Sequence, residues 1–224
     1  MTDKAKGLSG ALFRVAVGFA AVAVLVAASG DPADARSRRH RHAHADTSHH
    51  RHHRVATTTR DHERSEARYA DIVVDVNSGQ VLHESNADSL RHPASLTKIM
   101  TLYLLFEQLE TGKLKLGSEL HVSAHAASQS PTKLGLPAGE TIAVEDAIKA
   151  IVTESANDMA VVVAETIGGD EGTFARLMTR KAHTLGMART VYVNASGLPA
   201  DEQLTTARDQ ALLGRAVQER FPIY

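Results

Sequence analysis

Five stretches of this chain repeat apolar residues at the spacing of a helix face, and all five follow two short stretches patterned as strands. From Ser95 to about Glu110, the residues Ile99, Leu102, Leu105, Phe106 and Leu109 recur every three or four positions, and Thr111-Gly112 ends the run. A second helical pattern covers Val144 to Val152, with Glu145 and Asp146 in its first turn, where the positive end of the helix dipole favours them. "ANDMAVVVAETIGG" is apolar almost throughout, which predicts a buried helix closed by a glycine pair. Phe174 to Leu185, ending at Gly186, and Thr206 to Arg220 complete the set, with a loop carrying "NASGLP" between them. Upstream, Tyr69–Val76 and Gln80–Glu84 are β-rich runs joined by Asn77-Ser78-Gly79, which predicts a hairpin. "LKLGSELHVS" reads as a short extended segment. A two-stranded hairpin alone is not a stable sheet, so this pattern opens a sheet that it does not complete.

The first 66 residues show neither period. Lys4, Lys6 and Arg14 precede the apolar run "VAVGFAAVAVLVAA", and small residues at Ala33–Ala35 offer a cleavage point before Arg36. Residues 1–35 therefore read as a signal peptide, the run being short for a membrane span; the alternative is an uncleaved N-terminal anchor. On either reading the remainder is exported to the periplasm, in the second case held at the inner membrane. Residues 36–66 are rich in histidine and arginine and almost free of apolar side chains, so burial cannot offset the entropy of ordering them. They read as a disordered linker, with transition-metal capture by the clustered imidazoles as the sharper alternative. The folded part is expected over residues 67–224.

Composition narrows the chemistry. The formal net charge is −1, which gives no general case for nucleic-acid binding. There is no cysteine, which excludes disulfides, thiol catalysis and thiolate metal sites. In the folded part His83, His92, His121, His125 and His183 are scattered without metal-ligand spacing and read as surface or satisfied polar groups, so neither metal nor cofactor is expected.

Two short motifs could carry a reaction. In "PASLTK", Ser95 and Lys98 stand three apart, which places both on one face of a helix. Serine is a poor nucleophile until a base takes its proton, and lysine is such a base only when burial or a cationic neighbour lowers its pKa. Leu96, Ile99 and Met100 predict a buried setting for it. In "TESANDMA", Ser155 and Asn157 could point a hydroxyl and a carboxamide into one cleft. Each motif also has a plain reading: Ser95 begins an ordinary helix beside a solvated lysine, and Ser155 or Asn157 caps the next one.

Together, in this order and about sixty residues apart, S-x-x-K and S-x-N resemble the active-site serine penicillin-recognising enzymes. "PASLTKIMT", "KLGLPAGE", "ESANDMA", "KAHTLGM", "NASGLP" and "TTARD" narrow the resemblance to the low-molecular-mass D-alanyl-D-alanine carboxypeptidases, over residues 67–224. The resemblance implies an α/β (α+β) fold of the β-lactamase and penicillin-binding-protein type, with helices packed on an antiparallel sheet. It implies Ser95 as nucleophile and acyl-enzyme site, Lys98 as general base, Ser155 as proton relay and Asn157 as a substrate-positioning residue. The implied partners are peptidoglycan stem peptides ending in D-Ala-D-Ala, with β-lactams as inhibitors. Asp158 is expected to give local support, and Gly197, Leu198 and Pro199 to set a loop conformation without direct chemistry. The family's third element, K-T-G, does not follow residue 157. The expectation is therefore a domain truncated before its C-terminal sheet strands, with an inactive relict or envelope-binding protein as the alternative. A β-lactamase is a lesser alternative, because no E-x-x-L-N stretch supplies the deacylating glutamate.

Overall fold

The computed structural model describes residues 69–224; the signal-peptide and linker readings lie outside the described residues. The described part opens with the expected hairpin, β1 (Asp71–Val74) and β2 (Val81–Ser85), antiparallel, with Asp71 opposite Ser85 and a register shift after Val73. Its turn is built by Asp75, whose carboxylate accepts from the Ser78 N–H at 2.7 Å and the Ser78 hydroxyl at 2.6 Å. A second antiparallel pair, β3 (Glu119–His121) and β4 (Thr141–Ala143), sets Leu120 opposite Ile142. Only the first of these two strands is expected from the sequence pattern.

The helices are α1 (Thr97–Glu110), α2 (Ala124–Ala127), α3 (Val144–Thr153), α4 (Asn157–Gly168), α5 (Glu171–Thr184) and α6 (Ala207–Arg220). α4 is the axis of the core. Met159 to Ala164 are all fully buried, as its unbroken apolar sequence requires, because α1, α2, α3, α5 and β3 surround it. α5 starts three residues before the expected Phe174, since its first turn is polar and is fixed by Asp170, whose carboxylate caps the Thr173 N–H at 2.7 Å. α6 packs against β1. The α+β class thus stands, with helices on antiparallel strands, although the described residues hold two separate two-stranded sheets. No helix among the described residues is long and apolar enough to cross a membrane.

Loop backbone does the remaining assembly. Arg91 and Thr205 exchange two backbone hydrogen bonds of 2.8 Å, and Val191 pairs likewise with Leu204. The first rung brings the loop after α5 against the segment that leads into α1, and the second closes that loop on itself, so the two motif regions meet a third.

Candidate active site

Ser95 lies in a single 3-10 turn, Ala94–Leu96, that leads directly into α1. Lys98 lies in the first turn of α1, so the pair, three residues apart, shares one face across the junction of the two windings. Ser95 is exposed, whereas Lys98 is 4% exposed. Lys98 Nζ lies 3.4 Å from Ser95 Oγ and donates to the Ser196 carbonyl at 2.6 Å. From the other side, the Ser155 hydroxyl donates to Ser95 Oγ at 3.0 Å, across sixty residues of chain. The three side chains form one row, hydroxyl to hydroxyl to amine.

Neither motif behaves as a helix cap. α1 and α4 both start without a side-chain capping bond, so the local backbone explanation for Ser95, Ser155 and Asn157 fails. Ser155 instead has a left-handed backbone, φ 53°, and so does Ala94, φ 47°. Such conformations cost a non-glycine residue on the order of 1–3 kcal/mol and persist only where the surroundings impose them. At Ala94 the surroundings include Gly197, itself at φ 88°: any side chain there would overlap the Ala94 carbonyl and come within 3.1 Å of the Ser95 nitrogen. Ser155 is held by its carbonyl, which accepts from Thr132 Oγ1 at 3.2 Å.

Asn157 is buried at the first position of α4, and its amide nitrogen donates to the Ser130 carbonyl at 3.0 Å. The structure therefore sets it beside the site in the wall formed by the 130–135 loop. Asp158 holds the same loop, accepting from the N–H groups of Leu134 at 3.1 Å and Gly135 at 2.9 Å. The Asn157 N–H adds a bond to the Thr132 carbonyl at 2.9 Å. "SAND" is thus fastened along its length to "KLG" and the residues before it.

Burial pushes the Lys98 ammonium down from its ordinary 10.5 to about 8, and burial is the sole cause. The flanks expected to provide that burial do so only in part. Met100 is fully buried, but Leu96 is 50% exposed. The "NASGLP" loop closes over the amine instead: Ser196 accepts from Lys98, and the Ala195 carbonyl accepts from Thr101 Oγ1 at 2.7 Å. The loop is fixed by Gln203, whose Oε1 accepts from the N–H groups of Val193 and Asn194. Asn194 in turn accepts from the Gly197 N–H at 2.8 Å. The motif was readable, but the partner it offers Lys98 is a backbone carbonyl, which no residue type announces.

All five histidines of the folded part are exposed, and three have partners: Asp71 for His83, the Gln203 carbonyl for His92 and Glu171 for His125. Among the described residues no cluster of three or more His, Asp or Glu side chains could hold a metal ion. A serine hydroxyl within reach of a buried amine and a second hydroxyl is equipped for acyl transfer.

Comparison with known proteins points the same way. Residues 56–223 match the family model described as D-alanyl-D-alanine carboxypeptidase. The chain is 35% identical over 144 residues to D-alanyl-D-alanine carboxypeptidase DacF of Bacillus subtilis, covering 64% of this chain and 37% of that protein. The crystal structure of D-alanyl-D-alanine carboxypeptidase DacD from Francisella tularensis superposes with a TM-score of 0.68 at 38% identity, over 69% of this chain and 37% of that one. Penicillin-binding protein D2 from Listeria monocytogenes, in its ampicillin-bound form, superposes with a TM-score of 0.57 at 32% identity, over 68% and 62% respectively. The chain spans less than two thirds of the length of each of these proteins.

Proposed function

We propose, for a chain that belongs to the D-alanyl-D-alanine carboxypeptidase family, that it removes the terminal D-alanine of peptidoglycan stem peptides through an acyl-enzyme on Ser95. The observation that carries this reading is the row of Ser155 Oγ, Ser95 Oγ and Lys98 Nζ, an exposed hydroxyl flanked at 3.0 Å by a hydroxyl and at 3.4 Å by a buried amine.

Neutral Lys98 takes the proton of Ser95 Oγ as that oxygen attacks the carbonyl carbon of the D-Ala-D-Ala bond. The oxyanion forms at the head of a helix, where backbone N–H groups without an intrahelical acceptor favour negative charge. On collapse the C–N bond breaks; with Ser95 Oγ now an ester, the Ser155 hydroxyl turns to Lys98 and carries its proton to the departing amine. D-Alanine leaves. Lys98, neutral again, draws a proton from the water that attacks the ester, and the returning proton restores Ser95. Asn157 orients the substrate with its amide oxygen, its nitrogen being engaged by Ser130. β-Lactams acylate the same serine, a reading supported by the ampicillin-bound relative.

We place this activity in the periplasm, on the outer side of the inner membrane, with residues 1–35 as the export signal or an uncleaved anchor; the support is the basic start and the apolar run that follows it. The test of the activity is D-alanine release from a stem pentapeptide ending in D-Ala-D-Ala. Release by the chain and none by Ser95→Ala is the expected result. A folded chain that releases none, or a Ser95→Ala variant that releases as much, would overturn the reading.

A further inference from the structure

We propose that Glu171 is a positioning residue for Lys98, acting through the backbone of Ala195 and Ser196. The assignment rests on the reading of Lys98 as the base of Ser95, and it adds a carboxylate that neither motif contains.

Glu171 opens α5, and its side chain is only 17% exposed. One carboxylate oxygen accepts the Ala195 N–H at 2.9 Å; the other lies 2.9 Å from His125 Nε2 on α2. The Ala195 residue is therefore gripped at both ends, by Glu171 at its N–H and by Thr101 at its carbonyl. The next carbonyl, that of Ser196, is the acceptor of Lys98 Nζ. Thr101 and Lys98 are themselves three residues apart on α1, so a shift of the Ala195–Ser196 backbone changes both contacts. A carboxylate accepting a backbone N–H makes a bond roughly twice as strong as a neutral one, which suits a contact that must fix a loop. His125 is the titratable partner that faces the carboxylate, and it keeps the second oxygen occupied so that the first stays on Ala195.

The loop would not come apart without Glu171. Val193 and Asn194 are still held by Gln203, and Gly197 by Asn194. What is lost is the closure of this backbone over the amine, and with it the exclusion of water on which the burial of Lys98 depends. Removing Glu171 should then let Lys98 hydrate while the fold remains. A carboxylate with a merely structural role would change stability and leave Lys98 as it was.

The experiment follows the Lys98 side chain by NMR in the full chain, with lysine labelled with carbon-13 at Cε and the resonance assigned with Lys98→Arg. In Glu171→Ala the titration midpoint should rise by about one unit towards the ordinary lysine value. The rate of acylation by a fluorescent penicillin at pH 7 should then fall about tenfold, because the neutral fraction falls by that factor. Glu171→Gln retains an amide oxygen for the Ala195 N–H, a weaker acceptor, and should titrate closer to the wild type than Glu171→Ala does. An unchanged Lys98 midpoint in Glu171→Ala overturns the proposal, whatever happens to the melting temperature. Should that variant not fold, Glu171→Asp decides: its carboxylate is one methylene shorter and withdraws from Ala195 while the charge is kept. A raised midpoint there supports the assignment and an unchanged one overturns it. The titration needs no turnover, so it decides the role of Glu171 whether or not the chain takes penicillin.

Discussion

As the proposed base, Lys98 has to be buried enough to shed its proton near neutrality and close enough to Ser95 to receive another. Its pKa of about 8 lies below its value in an unfolded chain, so the sign of the pH dependence is fixed. Below about 8 the amine is charged in both states; between about 8 and 10.5 the unfolded chain binds the extra proton. Stability therefore rises with pH across that window, by on the order of 3 kcal/mol from this group. Acylation should rise in the same direction, tenfold per pH unit below the midpoint and flattening above it. Measuring the rate of penicillin acylation from pH 6 to pH 10 checks this; a rate that is flat through 8, or that falls, would remove Lys98 as the base. At this scale the spacing of Ser95 and Lys98 was legible because a helical turn leaves few alternatives. The Ser196 carbonyl and the Glu171 carboxylate were not. The first is a backbone atom, and the second lies 24 residues from the Ala195 N–H it binds.

The element that gives the site its second wall is the fastening of the 130–135 loop to the start of α4. Asp158 is fully buried and serves two N–H groups of that loop as well as the Met159 N–H beside it. Asp158→Ala leaves these donors without the carboxylate and should cost about 2–4 kcal/mol. Urea denaturation gives that figure directly. Because Thr132 also holds Ser155, acylation of Ser95 should slow in the same variant. A loss of stability below about 0.5 kcal/mol would show that the loop is held by other means. The long helices were legible from their period, and α4 from its unbroken apolar run. β4 and α2, at three and four residues, are too short to establish a period, and the polar first turn of α5 hid its start.

At the scale of the molecule, a helical core around α4 carries all three walls of the site: the head of α1, the loop before α4, and the loop after α5. The β1–β2 hairpin stands apart from that core, backed by α6, with Val73 at 50% and Leu82 at 62% exposed. The expectation of a sheet opened by a hairpin came from two β-rich runs joined by Asn77-Ser78-Gly79, and its extent lay beyond any pattern in the chain. The proposed function depends on acylation of Ser95. Intact-mass measurement of the full chain after exposure to a penicillin, followed by peptide mapping, tests this step. One added penicillin per chain is expected, carried on the peptide that contains Ser95 and absent from Ser95→Ala. A folded chain that gains no mass, or one whose adduct lies on another residue, would contradict it.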